Sequence, residues 1–216
     1  MKLLHVDSSI NGITSNSRKL SQTIVTEWLN THPDTQVDYL DLADETPNHL
    51  SRHALGFRLP PSNATLSQEQ KQENQVSETL VSQFLEADVI VVGVPLYNFS
   101  IPSQLKAWID RLAQAGRTFR YTESGPVGLA GDKTIIVALT RGGVYSNSEA
   151  GQAMEHQESY LKTIFGFFGV TDIRIVRAEG TDLGPESRAK AIEQAIMAIG
   201  EVVALPLAVE KDIATA

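Results

Sequence analysis

Asp88–Gly116, DVIVVGVPLYNFSIPSQLKAWIDRLAQAG, decides the fold. Val89, Ile90, Val91 and Val92 form a short apolar run, rich in β-branched residues, bounded by Asp88 and Gly93. Such a run reads as a strand buried on both faces, as in a parallel sheet. After Ser103 the period changes: Leu105, Trp108, Ile109 and Leu112 fall at i, i+3, i+4 and i+7, one helical face. Pro102 falls in the first turn, where a missing N–H costs little, and Gly116 stands where a C′ glycine ends a helix. Between strand and helix lie Pro95, Leu96, Tyr97, Asn98 and Phe99. Two aromatics and a carboxamide thus occupy the carboxyl end of a parallel strand, where open α/β sheets bind ligands.

The same alternation continues on both sides. Lys2 to Val6 reads as a first strand, followed by Asp7-Ser8-Ser9 and a polar loop, Asn11 to Ser17. Ser17 or a neighbour is placed to cap a helix whose apolar face is Leu20, Ile24, Val25, Trp28 and Leu29. Gln36 to Asp41 alternates like a half-exposed strand, and 43–66 reads as a long surface excursion. Ser67 to Ala87 is helical, with Val76, Leu80, Phe84 and Leu85 inward. Residues 119–131 form a non-helical insertion, and Thr134 to Leu139 a third apolar strand ending in Thr140-Arg141-Gly142-Gly143. An aromatic helix end at Tyr160 to Phe168, a strand at Ile173 to Ala178 and a helix on Ile192, Ala195, Ile196, Ile199 and Val203 follow. From about residue 205 the tail is expected to fray.

Length bounds the answer further: 216 residues make one domain, 1–216, with a full core. Eighteen basic against 26 acidic residues, a net charge of −8, argue against nucleic-acid or anionic-membrane partners. Cysteine is absent, which excludes disulfides, thiolate metal sites and cysteine nucleophiles. No stretch reads as a signal peptide or a membrane span, so a cytoplasmic protein is expected. The five histidines show no metal-ligand spacing and read as surface or packing residues; His156 opens a helix and is one candidate to approach a substrate oxygen.

Strands 1, 3 and 4 are continuously apolar, whereas 2 and 5 alternate or carry charge, so the former are central. With right-handed crossovers this gives an α/β flavodoxin-like doubly wound five-stranded parallel sheet, order 2-1-3-4-5, with helices on both faces. The loops after strands 1, 3 and 4 then meet at one rim. The first presents Ser8, Ser9, Thr14, Ser15, Asn16 and Ser17 ahead of a helix N-terminus, which suits a phosphate. Capping accounts for one of these hydroxyls and leaves the rest. Neither a P-loop nor a G-x-G-x-x-G follows strand 1, which points to a mononucleotide. In the second loop Asn98 offers both a donor and an acceptor, matching the imide edge of a flavin between aromatic faces. In the third, Gly142-Gly143 lets backbone approach a ligand, while Arg141 reads equally well as a surface charge. Each loop alone has a plainer reading, as a cap, a sheet cover or a turn; converging, they point to flavin mononucleotide (FMN).

The sequence also resembles the FMN-dependent NADH azoreductases, which are NADH:quinone oxidoreductases of flavodoxin-like fold. The resemblance is carried by Pro95 to Phe99 with Gln104-Leu105-Lys106, Phe119 to Glu123 with Gly125-Pro126, and Arg141-Gly142-Gly143. Gly166-Phe167 with Gly169 and Ala178-Glu179-Gly180 extend it. It implies that Ser9, Ser15, Asn16 and Ser17 hold the FMN phosphate. It also implies that Leu96, Tyr97, Asn98 and Phe99, with Thr140, Arg141, Gly142 and Gly143, wrap the ring. Ping-pong transfer of two electrons from NADH or NADPH to quinones and azo compounds is implied too, with the flavin and no protein acid or base carrying the chemistry. So is a homodimer with sites at the interface, where Tyr121 and Phe167 are the candidates to line the substrate space. Arg58 is a candidate to meet the extra phosphate of NADPH, or is solvated. Three rivals stand beside this reading, one of them a protein that only binds or senses flavin or quinone without turnover. A hydrolase lacks the G-x-S-x-G elbow and any late Asp-x-x-His. A flavodoxin-like electron carrier, without nicotinamide-dependent turnover, has no use for the excursions at 43–66 and 119–131.

Overall fold

Continuous apolar runs become the centre of a five-stranded parallel sheet. The computed structural model describes residues 1–57 and 66–207. Strands β1 (Lys2–Asp7), β2 (Gln36–Asp41), β3 (Val89–Pro95), β6 (Thr134–Arg141) and β7 (Asp172–Glu179) lie in the order β2-β1-β3-β6-β7. All pairs are parallel, with Leu3 opposite Val89 and Val89 opposite Thr134. Without the separate hairpin β4 (Phe119–Thr122) and β5 (Gly125–Gly128), this is the expected order 2-1-3-4-5. Every residue of β3 and β6 is buried, whereas only Leu40 is buried in β2, as an edge strand requires.

Side-chain alternation divides the core. Leu4, Val6, Ile90, Val92, Val94, Ile135, Val137 and Leu139 pack with helices α2 (Gln68–Glu86), α3 (Ser103–Leu112) and α5 (Glu158–Phe167). Their sequence neighbours Leu3, Val89, Val91, Ile136 and Ala138 pack with α1 (Asn16–Thr31) and α6 (Pro185–Val203). Phe84 meets Trp108 and Phe168 edge-on in the first cluster, and Trp28 is fully buried in the second. A short helix α4 (Glu149–Met154) completes the described elements.

Several boundaries differ from the sequence reading. Of the residues placed to cap α1, Ser17 or a neighbour, it is Ser15 that does so, accepting a hydrogen bond from the Arg18 amide. Pro102 is the N-cap of α3 rather than part of its first turn. Gly116 lies three residues beyond the C-cap Ala113; at φ +83° it turns the chain toward Phe119 instead of ending the helix. Val76 and Ile196 face solvent, because Val81 and Ala191 take the buried stripe. His156 precedes α5 without opening it. The 119–131 insertion is an ordered hairpin, and a Cβ on Gly128 would lie 2.1 Å from the Gly169 nitrogen. Leu42 and Ala54 anchor the start of the 43–66 excursion, but Arg58 lies outside the described residues. So does the tail beyond 207, although Arg174 donates to the carbonyls of Leu205 and Pro206.

Candidate functional site

Loops that follow parallel strands all emerge at the carboxyl edge of the sheet, and here they bound a cavity of about 530 Å³. That is within the range of small-molecule sites. Ser9, Asn11, Thr14, Ser15 and Asn16 line it from the loop after β1, Leu96 and Tyr97 from the loop after β3. Thr140 and Gly142 line it from β6, Thr181 and Asp182 from the loop after β7.

The first loop is tied from below. Arg18 donates from Nε and Nη2 to the Ser9 carbonyl while the same guanidinium grips Asp41 in a fork. Its ion pair reaches β2, so the edge strand braces the loop. Ser8 turns inward and donates to the Gly93 carbonyl at 2.7 Å. Ser17 is fully buried against the Ser15 hydroxyl at 3.1 Å and does not line the cavity. Beneath it, Asp7 accepts from Ser21 and Tyr39; burial, then the Asp7 and Asp41 charges, push the Tyr39 phenol up to about 12.

The second loop is a two-residue turn. Tyr97 and Ser100 exchange backbone hydrogen bonds at 2.9 and 3.0 Å across Asn98 and Phe99, which lie at φ +48° and +68°. Left-handed backbone at two successive non-glycine residues is the pattern of a type I′ turn, tolerated by Asn and unfavourable for Phe. Tyr97 lies 3.3 Å from the Ser9 hydroxyl and lines a second cavity, about 550 Å³, with Asn98, Ile101, Gln104 and Tyr160. Phe99 is half exposed and meets Tyr145 edge-on.

In the third loop a side chain would crowd its neighbours. A Cβ on Gly142 would lie 2.5 Å from the Asp182 carboxylate, and one on Gly143 3.3 Å from the Tyr145 ring. Gly180 and Asp182 donate their amides to the carbonyls of Gly143 and Gly142, so the loops after β6 and β7 form one wall. Arg141 is not a surface charge. It is buried, turned away from the cavity, and paired with Glu155, Glu158 and Glu179.

Of the sequence-derived site residues, Ser9, Ser15, Asn16, Leu96, Tyr97, Thr140 and Gly142 thus share the first cavity. Asn98 lines the second. Tyr121 and Phe167 sit elsewhere, both against Phe119, with Tyr121 74% exposed on the hairpin. Lys19, Thr181, Asp182 and Arg188 line the first cavity and went unread. Lys19 was legible, since it follows Ser15 by one helical turn; Thr181 and Asp182 follow the fifth strand, whose loop carried no distinctive residue pattern.

The donor set fits FMN. The first turn of α1 has no acidic residue, and hydroxyls, a carboxamide and Lys19 surround its positive end. Glycines and a tight turn bring backbone up to the space a flat ring would enter. Among the described residues no cluster of His, Cys, Asp or Glu suits a metal ion, and no helix is long and apolar enough to cross a membrane.

A family model described as flavodoxin-like fold matches residues 1–203. A protein of Polaromonas naphthalenivorans (strain CJ2) named FMN-dependent NADH:quinone oxidoreductase is 67% identical over 194 residues, 90% of this chain and 89% of that protein. The crystal structure of azoreductase from Bacillus anthracis str. Sterne is 33% identical, with a TM-score of 0.87 over 94% of this chain and 98% of that one. An FMN-dependent NADH-azoreductase from Bacillus anthracis str. Ames Ancestor, solved in complex with FMN, is 27% identical. Its TM-score is 0.85 over 94% of this chain and 97% of its own.

Proposed function

The chain belongs to this family of flavodoxin-like fold, and on that premise we propose that it is an FMN-dependent NADH:quinone oxidoreductase and azoreductase. The observation that carries this is one cavity formed by the loops after β1, β3, β6 and β7, polar and hydroxyl-rich at the α1 end. In it, Ser9, Ser15 and Asn16, with the first free amides of α1, hold the phosphate, and Lys19 adds charge. Leu96 to Phe99 and Thr140 to Gly143 embrace the ring through backbone and the Asn98 carboxamide. FMN, when bound, supplies reversible two-electron hydride chemistry. The residues present bind, orient and shield; none is needed as an acid or base. Backbone amides near Asn98 and at Gly142 and Gly143 would stabilise charge that develops on a bound flavin when it is reduced.

Turnover is ping-pong, with NADH and then the quinone or azo compound using the same space in turn. Arg58 is the candidate to meet the extra phosphate of NADPH, or is solvated. The chain works as a single doubly wound domain in a homodimer. Tyr121 supports that arrangement, being a large exposed aromatic on a hairpin that does not line the chain's own first cavity; in the dimer it and Phe167 would line the substrate space.

A visible spectrum of the purified protein, followed anaerobically by NADH and then benzoquinone, tests the assignment. A yellow protein that bleaches with NADH and recovers with quinone is expected. Yellow protein inert to both nicotinamides would make it an electron carrier, and failure to take up FMN would end the proposal.

A further inference from the structure

We propose that Arg141 is a positioning residue: its buried guanidinium locks the backbone of the loops after β3 and β6, which meet around the flavin ring, against the end of β7, without touching the flavin. The inference rests on the reading that this cavity holds FMN. Arg141 is 3% exposed, and its partners radiate to separate segments. Nη1 pairs with Glu179 at 2.7 Å, Nη2 with Glu155 at 3.1 Å and Glu158 at 3.4 Å, and Nε donates to Gln157 Oε1 at 3.1 Å.

Three of these partners, Glu179, Glu155 and Gln157, in turn hold backbone near the cavity. Glu179 accepts from the amides of Tyr145 and Ser146, fixing the chain just past Gly142-Gly143. Glu155 accepts from the amides of Gln157 and Glu158 at 2.6 and 2.7 Å, which shapes the turn that contains His156. The His156 amide then donates to the Phe99 carbonyl at 2.9 Å, inside the left-handed Asn98-Phe99 turn. Gln157 also donates to the Val94 carbonyl at 2.9 Å, two residues before Leu96. One side chain therefore registers the loops after β3 and β6 against the end of β7.

The electrostatics make the arrangement depend on the cation. Three carboxylates converge on one guanidinium, and Arg177 and Lys162 reach only Glu158 among them. Without Arg141, Glu155 and Glu179 keep their hydrogen-bond donors but lose their cation while part-buried, a costly state that is relieved by moving the loops. A lysine replaces the charge but reaches fewer partners than the planar fork. The cluster lies on the ring side of the site, away from the α1 end that takes the phosphate.

The test is titration of deflavinated Arg141→Met, Arg141→Lys and wild type with FMN and with riboflavin, following quenching of flavin fluorescence. Arg141→Met is expected to weaken both ligands by a similar factor, about tenfold or more, and to change the visible circular dichroism of the bound ring. Arg141→Lys should recover part of the loss. A lower Tm with unchanged affinity and dichroism would overturn the proposal, leaving a purely structural ion cluster. A loss confined to FMN would overturn it too, since that marks direct contact with the phosphate. If Arg141→Met does not fold, Glu155→Ala decides: it should weaken both ligands in the same direction by less, and unchanged affinity would overturn the inference. Wild-type protein that binds neither flavin would remove the site assignment itself, and the inference with it.

Discussion

Asn98 and Phe99 show how much is stored in single residues. Their positive φ angles bend the chain sharply between Tyr97 and Ser100, and that bend brings the loop to the cavity. Left-handed backbone costs roughly 1–2 kcal/mol for ordinary L-residues, and asparagine escapes most of that cost. Asn98→Val should therefore destabilise the protein by about 1–2 kcal/mol, read as a lower urea midpoint with an unchanged slope. Asn98→Gly should hold the midpoint near wild type and still weaken flavin retention, because it keeps the turn and removes the carboxamide. Equal retention in Asn98→Gly would remove the side chain from the binding model. The Asn98-Phe99 turn was visible in the sequence as a loop with chemistry. Its left-handed conformation was not, because phenylalanine in a left-handed turn is set by tertiary constraints and contradicts local preference.

At the scale of elements, β3 is where packing and function meet. It is buried along its whole length, yet contains Gly93 beside the site. A Cβ there would lie 2.3 Å from Asp7 Oδ1, 3.1 Å from the Ser21 hydroxyl and 3.2 Å from the Ser17 carbonyl. Asp7 cannot give way cheaply, since Ser21 donates to the same oxygen at 2.7 Å. Gly93→Ala is therefore an overpacking change in a closed layer, and its expected cost is about 1–3 kcal/mol. A calorimetric Tm within error of wild type would show that α1 can retreat from β3. The strands themselves were legible because burial on two faces writes a continuous apolar run. The hairpin at 119–128 was read only as irregular, since GPVG and FRYT carry little alternation; β5 is secured by close backbone contact between Gly128 and Gly169.

For the whole molecule, ion pairs link the edges of the sheet to its centre and predict sensitivity to acid. Burial opposes ionisation of Asp41, Glu73, Glu158 and Glu179, but hydrogen bonds to the carboxylates outweigh it. Arg18 serves Asp41, Arg111 serves Glu73, Lys162 and Arg177 serve Glu158, and Ser146 and Arg141 serve Glu179. Each pKa is held below its ordinary value of 3.8 or 4.5. Because the folded pKa is the lower one, this stabilisation is complete above the ordinary value and lost as pH falls through the folded one. Denaturation midpoints should stay level above about pH 5 and decline steadily below it, and Glu179→Gln should show a shallower decline. A wild-type profile level to strongly acid pH would contradict the ion-pair account.

The order of the sheet, the identity of its central strands and the three loops at its rim followed from the sequence by itself. Apolar periodicity and chain direction are local properties, and parallel topology leaves few ways to connect them. The tertiary structure alone decided the fate of Arg141, which along the chain reads either as part of the loop that wraps the ring or as a surface charge, and lies buried among Glu155, Glu158 and Glu179. It also decided that Ser8 and Ser17 serve the scaffold while Thr181 and Asp182 face the cavity. Partnerships between charges 14 to 38 positions apart in the chain leave no periodic trace. They exist only once crossovers have brought the ends of β6 and β7 together, and it is there that desolvation makes each pairing obligatory.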